Sequence, residues 1–178
     1  PWIPSNFLGL PDSQSDLEHA KAILIPVPYD STTSFRSGTR EGPSAIIETS
    51  YGLEDYDLEL DLDVSTLGIH TTAALEPHVG DPKLMSQRVQ QAVSQYIQAD
   101  KIVGLLGGEH SICVGSVAAH MVAYPDLTVL YLDAHADLRD SYLGTEWGHA
   151  SGARRIHEMC PLVLAGVRSL CPEERDYI

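Results

Sequence analysis

Basic side chains are scarce in this sequence. Only 11 residues are Lys or Arg, against 25 Asp or Glu, and the formal net charge is −14. Binding to nucleic acid needs a basic face, so such a partner is disfavoured. The charge would raise the local concentration of a cationic small molecule, weakly once salt screens it, or else simply serves solubility. Cysteine is also sparse. Cys113, Cys160 and Cys171 are too few, and odd in number, for a disulfide framework, and no Cys-x-x-Cys pair offers a thiolate zinc site. Buried free thiols in a reducing, cytoplasmic setting are expected. No apolar run approaches the length of a bilayer span, so no membrane partner is expected. The first residues, Pro1-Trp2-Ile3-Pro4, lack both the basic and the apolar region of a signal peptide. They also lack an initiating Met, which reads as a start after residues that were removed or that lie outside this sequence.

What is present suits one globular core. Hydrophobic residues make up 43% and charged residues 20%, and residues 1–178 read as a single domain. Near-continuous apolar runs at 21–27, 102–106, 127–132 and 162–167 read as parallel strands covered on both faces. Asp81-Pro82 is an N-cap followed by Pro at the first helical position, and Met85, Val89, Ala92, Val93, Tyr96 and Ile97 share one face of a helix running to near Ala99. Residues 111–123 and 149–159 read as further helices, and Gly42-Pro43 opens a short one through Glu48. The acidic stretch Glu54 to Asp63 reads as an exposed loop or edge strand. The alternation gives an α/β class with a mostly parallel sheet between helices. Such sheets bind ligands beyond the carboxyl ends of their strands.

Two chemically distinctive motifs fall at such ends. Asp133-Ala134-His135-Ala136-Asp137 follows the apolar run ending at Leu132. Read as extended chain with a side-chain period of two, the run puts all three polar groups on one side. Gly107-Gly108-Glu109-His110-Ser111 follows another strand, with two glycines allowing a sharp turn before His110. His110, Asp133, His135 and Asp137 make a sulfur-free donor set suited to Mn²⁺, Fe²⁺ or Zn²⁺, and its carboxylate share leans toward Mn²⁺. Glu109 either orients one of these ligands or caps the following helix, the first being favoured. Arg139 and Asp140 sit where a loop over the site would shape its entrance, or else form an exposed ion pair. Arg154 and Arg155 read as structural salt-bridge partners. His19, His70, His78, His120 and His157 match no ligand spacing.

Gly-Gly-Glu-His-Ser followed by Asp-Ala-His-Ala-Asp resembles the ureohydrolase superfamily of arginases and agmatinases. The run Asp133 to Asp140 (Asp-Ala-His-Ala-Asp-Leu-Arg-Asp) resembles the agmatinase branch. Gly38-Thr39-Arg40-Glu41-Gly42-Pro43, Gly148-His149-Ala150 and Gly166-Val167-Arg168-Ser169 resemble further family segments. The resemblance implies a three-layer α/β/α sandwich with a binuclear Mn²⁺ centre. By position, His110 and Asp137 would hold one metal and His135 the other, with Asp133 bridging. It implies water activated for attack on the guanidinium carbon of a small cationic substrate, agmatine giving putrescine and urea in polyamine biosynthesis. It also implies His149 as the catalytic proton carrier, and a homo-oligomer.

One expected family segment has no counterpart. The later Ser-x-Asp-x-Asp-x-x-Asp-Pro type stretch, which completes the family's metal centre, does not occur. The sequence therefore reads as the amino-terminal portion of the family fold, incomplete at its carboxyl side. The strand bearing Asp133 is then expected to lack a neighbour and to expose an apolar edge. The flanks of His149 also differ from the family's, which leaves arginine, guanidinobutyrate or another guanidino compound open as substrate. Two other classes remain: a metal-binding assembly module without turnover, and a single-zinc amide hydrolase of the deacetylase type. Gly-Gly-Glu-His and the run to Asp140 argue against the last.

Overall fold

A computed structural model describes residues 5–97 and 101–178. In chain order the elements are α1 (Asp12–Ser15), β1 (Ala22–Val27), α2 (Gly42–Ser50), β2 (Tyr56–Asp57), β3 (Leu62–Asp63), β4 (Ile69–Thr71), α3 (Pro82–Ser94), β5 (Ile102–Gly107), α4 (Ile112–Ala123), β6 (Val129–Leu132), α5 (Gly152–His157), β7 (Leu162–Ala165) and α6 (Pro172–Tyr177). Short 3-10 turns at Phe7–Gly9, Thr39–Glu41, Val64–Leu67 and His149–Ser151 link several of them. No helix among the described residues is long and apolar enough to cross a membrane.

The strands form a three-stranded parallel sheet, β4-β1-β5, and a two-stranded parallel sheet, β6-β7. Ile23, Ile25 and Val27 of β1 point one way and are buried with Met85, Val89 and Val93 of α3 and Ile112 and Ala119 of α4. Pro26 points the other way, and it lines a cavity with Pro43 and Ile47 of α2. A proline within a three-stranded ladder is tolerated because β4 pairs only as far as Leu24. The second sheet packs Tyr131 against Val114 of α4 and Ala153 and Ile156 of α5. Helix α4 thus serves both sheets, and the architecture is α/β/α.

The other face of the second sheet is uncovered. Leu130, Leu132 and Val163 are 62%, 71% and 52% exposed. Among the described residues β5 pairs only with β1 and β6 only with β7, so the expected open edge beside the Asp133 strand is present.

Several boundaries differ from the sequence reading, each for a local reason. Helix α3 begins as expected, with Asp81 accepting from the N–H groups of Lys83 and Leu84 at 2.8 and 3.2 Å. It ends at Ser94 rather than near Ala99, where the Ser94 hydroxyl turns back to the Gln90 carbonyl (2.8 Å); residues 98–100 lie outside those described. Strand β6 starts at Val129, not Leu127, because Pro161 precedes its partner strand and has no N–H to extend the ladder. Strand β7 stops at Ala165, where Gly166 takes φ +88°. Helix α2 continues past Glu48 to Ser50. The segment at 149–159 divides into a 3-10 turn and the shorter α5. The acidic stretch folds as a two-residue antiparallel hairpin, β2-β3. The elements α1, β4 and α6 were not foreseen; β4 is three residues long and carries His70 at its centre, too short and polar to register as a strand.

Helices α3 and α4 cross at Gly115. A Cβ there would stand 2.2 Å from the Ser86 carbonyl oxygen and 2.8 Å from the Val89 Cβ. Gly115→Ala is expected to push the helices apart and cost about 1–3 kcal/mol. A lower urea midpoint with an unchanged slope is the expected reading.

Candidate metal centre and its cleft

His110 reaches its place through a close backbone contact. A Cβ on Gly108 would lie 2.1 Å from the Tyr29 carbonyl oxygen, so only glycine lets β5 turn tightly enough there. The Glu109 N–H then donates to that carbonyl at 2.8 Å. His110 projects toward the other sheet. Its Nδ1 lies 2.8 Å from Asp133 Oδ2 and 3.2 Å from Asp137 Oδ2. One donor atom each from His110, Asp133 and Asp137 fall within 4.8 Å of one another, which makes these three a possible metal-binding group.

The Asp133–Asp137 run is not extended, and this corrects the one-sided picture. Strand β6 ends at Leu132, and Asp137 adopts a left-handed backbone with φ 52°. Aspartate tolerates that region better than most side chains. The turn brings Asp137 back to Asp133 and His110 and leaves it buried. His135 points outward, two-thirds exposed, with its Nδ1 3.4 Å from Asp133 Oδ1. Asp133 therefore offers one oxygen to each histidine. The loop is strapped by residues 166–169: the N–H groups of Arg168 and Ser169 donate to the Ala134 carbonyl at 2.9 Å, and the Ala136 N–H donates to Ser169 at 3.2 Å. Below it, buried Glu174 of α6 accepts from the Leu138 N–H at 3.0 Å.

Tyr131 completes the cluster. Its hydroxyl donates to Asp137 Oδ2 (2.9 Å), and its ring stacks on His110 with centroids 4.5 Å apart. Burial, with Cys113 and the two carboxylates adding to it, pushes the phenol well above its ordinary range, so it remains a donor. Burial opposes a charge on His110, but Asp137 and Asp133 outweigh it and hold the imidazole above its ordinary 6.5. Burial likewise opposes the Asp133 charge. The His135 N–H and the His110 ring prevail and hold its carboxyl below 3.8.

A cleft of about 620 Å³ opens over this cluster, lined by His110, Asp133, His135, Asp137, Arg139 and His149 among others. His149 sits on the 3-10 turn and lines the same cleft. Its ring meets Tyr142 edge-on at 6.0 Å, and Arg139 lies over the face of Tyr142 at 4.8 Å. Arg139 thus flanks the cleft. Asp140 instead turns to Arg155, 3.0 Å away, which also pairs with Glu158 at 2.8 Å, so the structural reading of Arg155 holds. Arg154 lies over the Tyr177 ring at 3.6 Å. His19, His70, His78, His120 and His157 each have a local partner away from the cleft. The three cysteines are free, and burial pushes the Cys113 thiol up to about 12.

Glu109 departs from expectation. It is buried and accepts hydrogen bonds from Thr32 and Ser111, and none from the candidate ligands. The sequence reading missed Thr32, Tyr131 and Asp30. A signal existed for the first two: Thr32 follows the carboxyl end of β1, and Tyr131 is the one polar-tipped residue in β6, on the same side as Asp133. Asp30 is fully buried and accepts from the Gly38 N–H (2.6 Å) and from Arg40 Nε (2.5 Å), which fixes the 31–40 loop.

A sequence profile described as the Arginase family matches residues 20–178. The chain belongs to the Arginase family. The N(1)-aminopropylagmatine ureohydrolase of Synechocystis sp. is 36% identical over 184 residues, covering 98% of this chain and 59% of that protein. The protein of the same name from Thermococcus kodakarensis is 39% identical over 163 residues, covering 90% and 55%. The crystal structure of the agmatine ureohydrolase of Thermoplasma volcanium matches with a TM-score of 0.86 at 30% identity, covering 98% of this chain and 58% of that one. The chain therefore spans somewhat over half the length of these Arginase-family relatives.

The Asp30–Arg40 pair carries a pH prediction. Arg40 beside it, with the Gly38 N–H helping against burial, holds the Asp30 carboxyl below its ordinary 3.8. A depressed carboxylate stabilises the fold above the unfolded value and loses that contribution as pH falls through the folded one. Asp30→Ala is expected to cost about 1–3 kcal/mol at neutral pH. In thermal melts from pH 7 to pH 2 the gap between wild type and variant should close below about pH 4.

Proposed function

We propose that the protein is a metal-dependent amidinohydrolase that cleaves a cationic guanidino compound of the agmatine type to urea and an amine. Residues 1–178 act in it as one domain, the amino-terminal portion of the family fold. The observation that carries this reading is the meeting of His110, Asp133 and Asp137 at two strand ends in a chain of the Arginase family. The names of the relatives and the acidic net charge support the guanidino substrate class.

The donors suit divalent cations. Two ligands at about 2.1 Å and near right angles stand about 3 Å apart. Nδ1 of His110 stands at 2.8 and 3.2 Å from its two carboxylates, in keeping with that spacing. Imidazole and carboxylate without sulfur suit Mn²⁺, Fe²⁺ or Zn²⁺, and the carboxylate share leans toward Mn²⁺. His110 and Asp137 would hold one ion and His135 the second, with Asp133 bridging. When bound, such ions lower the pKa of water and stabilise developing negative charge.

The chain's own groups supply the rest. Tyr131 fixes the Asp137 carboxylate by hydrogen bonding, and the strap at 166–169 fixes the loop that carries all three run residues. In the overall reaction one water adds across the C–N bond. Its oxygen becomes the urea carbonyl oxygen, and its two protons finish on the departing amine. His149, which lines the same cleft, delivers one of those protons. A cytoplasmic location and a homo-oligomer belong to the same reading, supported by the free thiols and the exposed leucines of β6.

Urea release is the test, assayed with Mn²⁺ on the protein at its full natural length. Agmatine, N1-aminopropylagmatine, arginine and guanidinobutyrate make the substrate panel. His110→Ala and Asp133→Asn should each lower kcat/KM by at least about 100-fold, and chelation should abolish turnover until Mn²⁺ is restored. No urea from any of the four by metal-loaded protein would reject the hydrolase. Ions bound without turnover would leave a metal-holding assembly module in its place.

A further inference from the structure

Glu109, Thr32 and His149 form a chain of contacts that the metal-holding role does not use. Glu109 is 4% exposed. Its Oε2 accepts from the Thr32 N–H at 2.7 Å, and its Oε1 accepts from the Ser111 hydroxyl at 2.5 Å and from the Thr32 hydroxyl. The Thr32 oxygen in turn lies 3.0 Å from the His149 backbone nitrogen and 3.3 Å from His149 Nδ1. On the other side of the ring, Nε2 lies 3.5 Å from the Ser34 hydroxyl, at the cleft wall.

Counting protons decides what Thr32 can do. A threonine hydroxyl has one hydrogen and two lone pairs. Its hydrogen is given to Glu109, and one lone pair accepts from the His149 backbone N–H. The remaining lone pair faces His149 Nδ1, and it can only accept. A neutral imidazole opposite such an oxygen carries its hydrogen on Nδ1 and its lone pair on Nε2.

We infer that Thr32, held by Glu109, is a positioning residue that fixes His149 in the Nδ1–H tautomer, with Nε2 presented to the cleft as the proton-carrying atom. This rests on His149 as the proton carrier of the proposed hydrolase. Its geometry is independent of any metal. Tyr142 meets the ring edge-on and limits its tilt. Among the described contacts no carboxylate touches the His149 ring; the orienting charge of Glu109 acts through one intervening hydroxyl. The same carboxylate also holds Thr32 through its N–H, so the backbone and the hydroxyl of Thr32 are both set by one residue. Glu109 is itself next to His110 in the chain, so the turn that places a candidate ligand also places the orientation of the proton carrier.

The tautomer is read directly from long-range ¹H–¹⁵N correlation spectra of histidine-labelled protein, recorded over a pH series up to the point where the ring signals no longer move. His149→Gln assigns the signal by its loss. Wild type is expected to show a protonated Nδ1 and a bare Nε2. Thr32→Val should give a mixture of tautomers, and Thr32→Ser should restore the wild-type pattern. In the urea assay Thr32→Val should lower kcat about 10- to 100-fold with KM little changed, rescued by Thr32→Ser. An Nε2–H signal in wild type would overturn the inference without touching the hydrolase reading. An Nδ1–H signal that persists in a folded Thr32→Val variant would overturn it as well. A hydrolase without turnover but with the expected spectra would instead fail the proposed function alone.

Discussion

Asp133 and Asp137 reach the same imidazole nitrogen, and two carboxylates brought this close demand positive charge between them. An imidazolium meets that demand in part, and a divalent cation meets it better. Much of the local structure serves to make the approach. Asp137 takes a left-handed backbone to turn inward, Tyr131 gives its hydroxyl proton to the Asp137 oxygen, and Gly108 lets His110 come forward. The strap at 166–169 and the buried Glu174 hold the loop from its two sides.

The site is also a joint between two sheets. Its imidazole comes from the end of β5 and its carboxylates from the end of β6, and those strands belong to separate ladders. Helix α4 runs beneath both and supplies the shared core, with Gly115 setting its distance from α3. The carboxyl end of β1 adds a second line of control. Asp30 pins the 31–40 loop, and Thr32 carries that order across to His149. The cluster of His110, Asp133 and Asp137 and the ring of His149 thus line one cleft, and adjacent residues of a single turn, His110 and Glu109, bear on the two.

Much of this was legible in the residues themselves. The apolar runs marked four of the strands, and parallel pairing with binding at carboxyl ends followed from their alternation with helices. Of the four candidate donors in the two motifs, His110, Asp133 and Asp137 come together, while His135 points outward beside Asp133. The path of the chain was less visible. A period of two suited the 133–137 run in isolation, but long-range bonds from Ser169 and the left-handed Asp137 bend it instead. Thr32 and Tyr131 were hidden for a different reason: hydroxyl residues are common, and only contacts between distant segments give these two a role. Glu109 reads from the sequence as orienting a metal ligand or capping the following helix, yet its carboxylate accepts from Thr32, in the loop after β1, and from Ser111. The short strand β4, with its central His70, gave no pattern long enough to detect.

The central claim is that side chains from the ends of β5 and β6 together hold a divalent cation. Crystals grown with Mn²⁺ and measured on both sides of its absorption edge test it most directly. An anomalous difference peak between His110 Nδ1 and the carboxylates of Asp133 and Asp137 is the predicted result. Ordered side chains with no peak among them, or with the Mn²⁺ peak on other residues, would contradict the account.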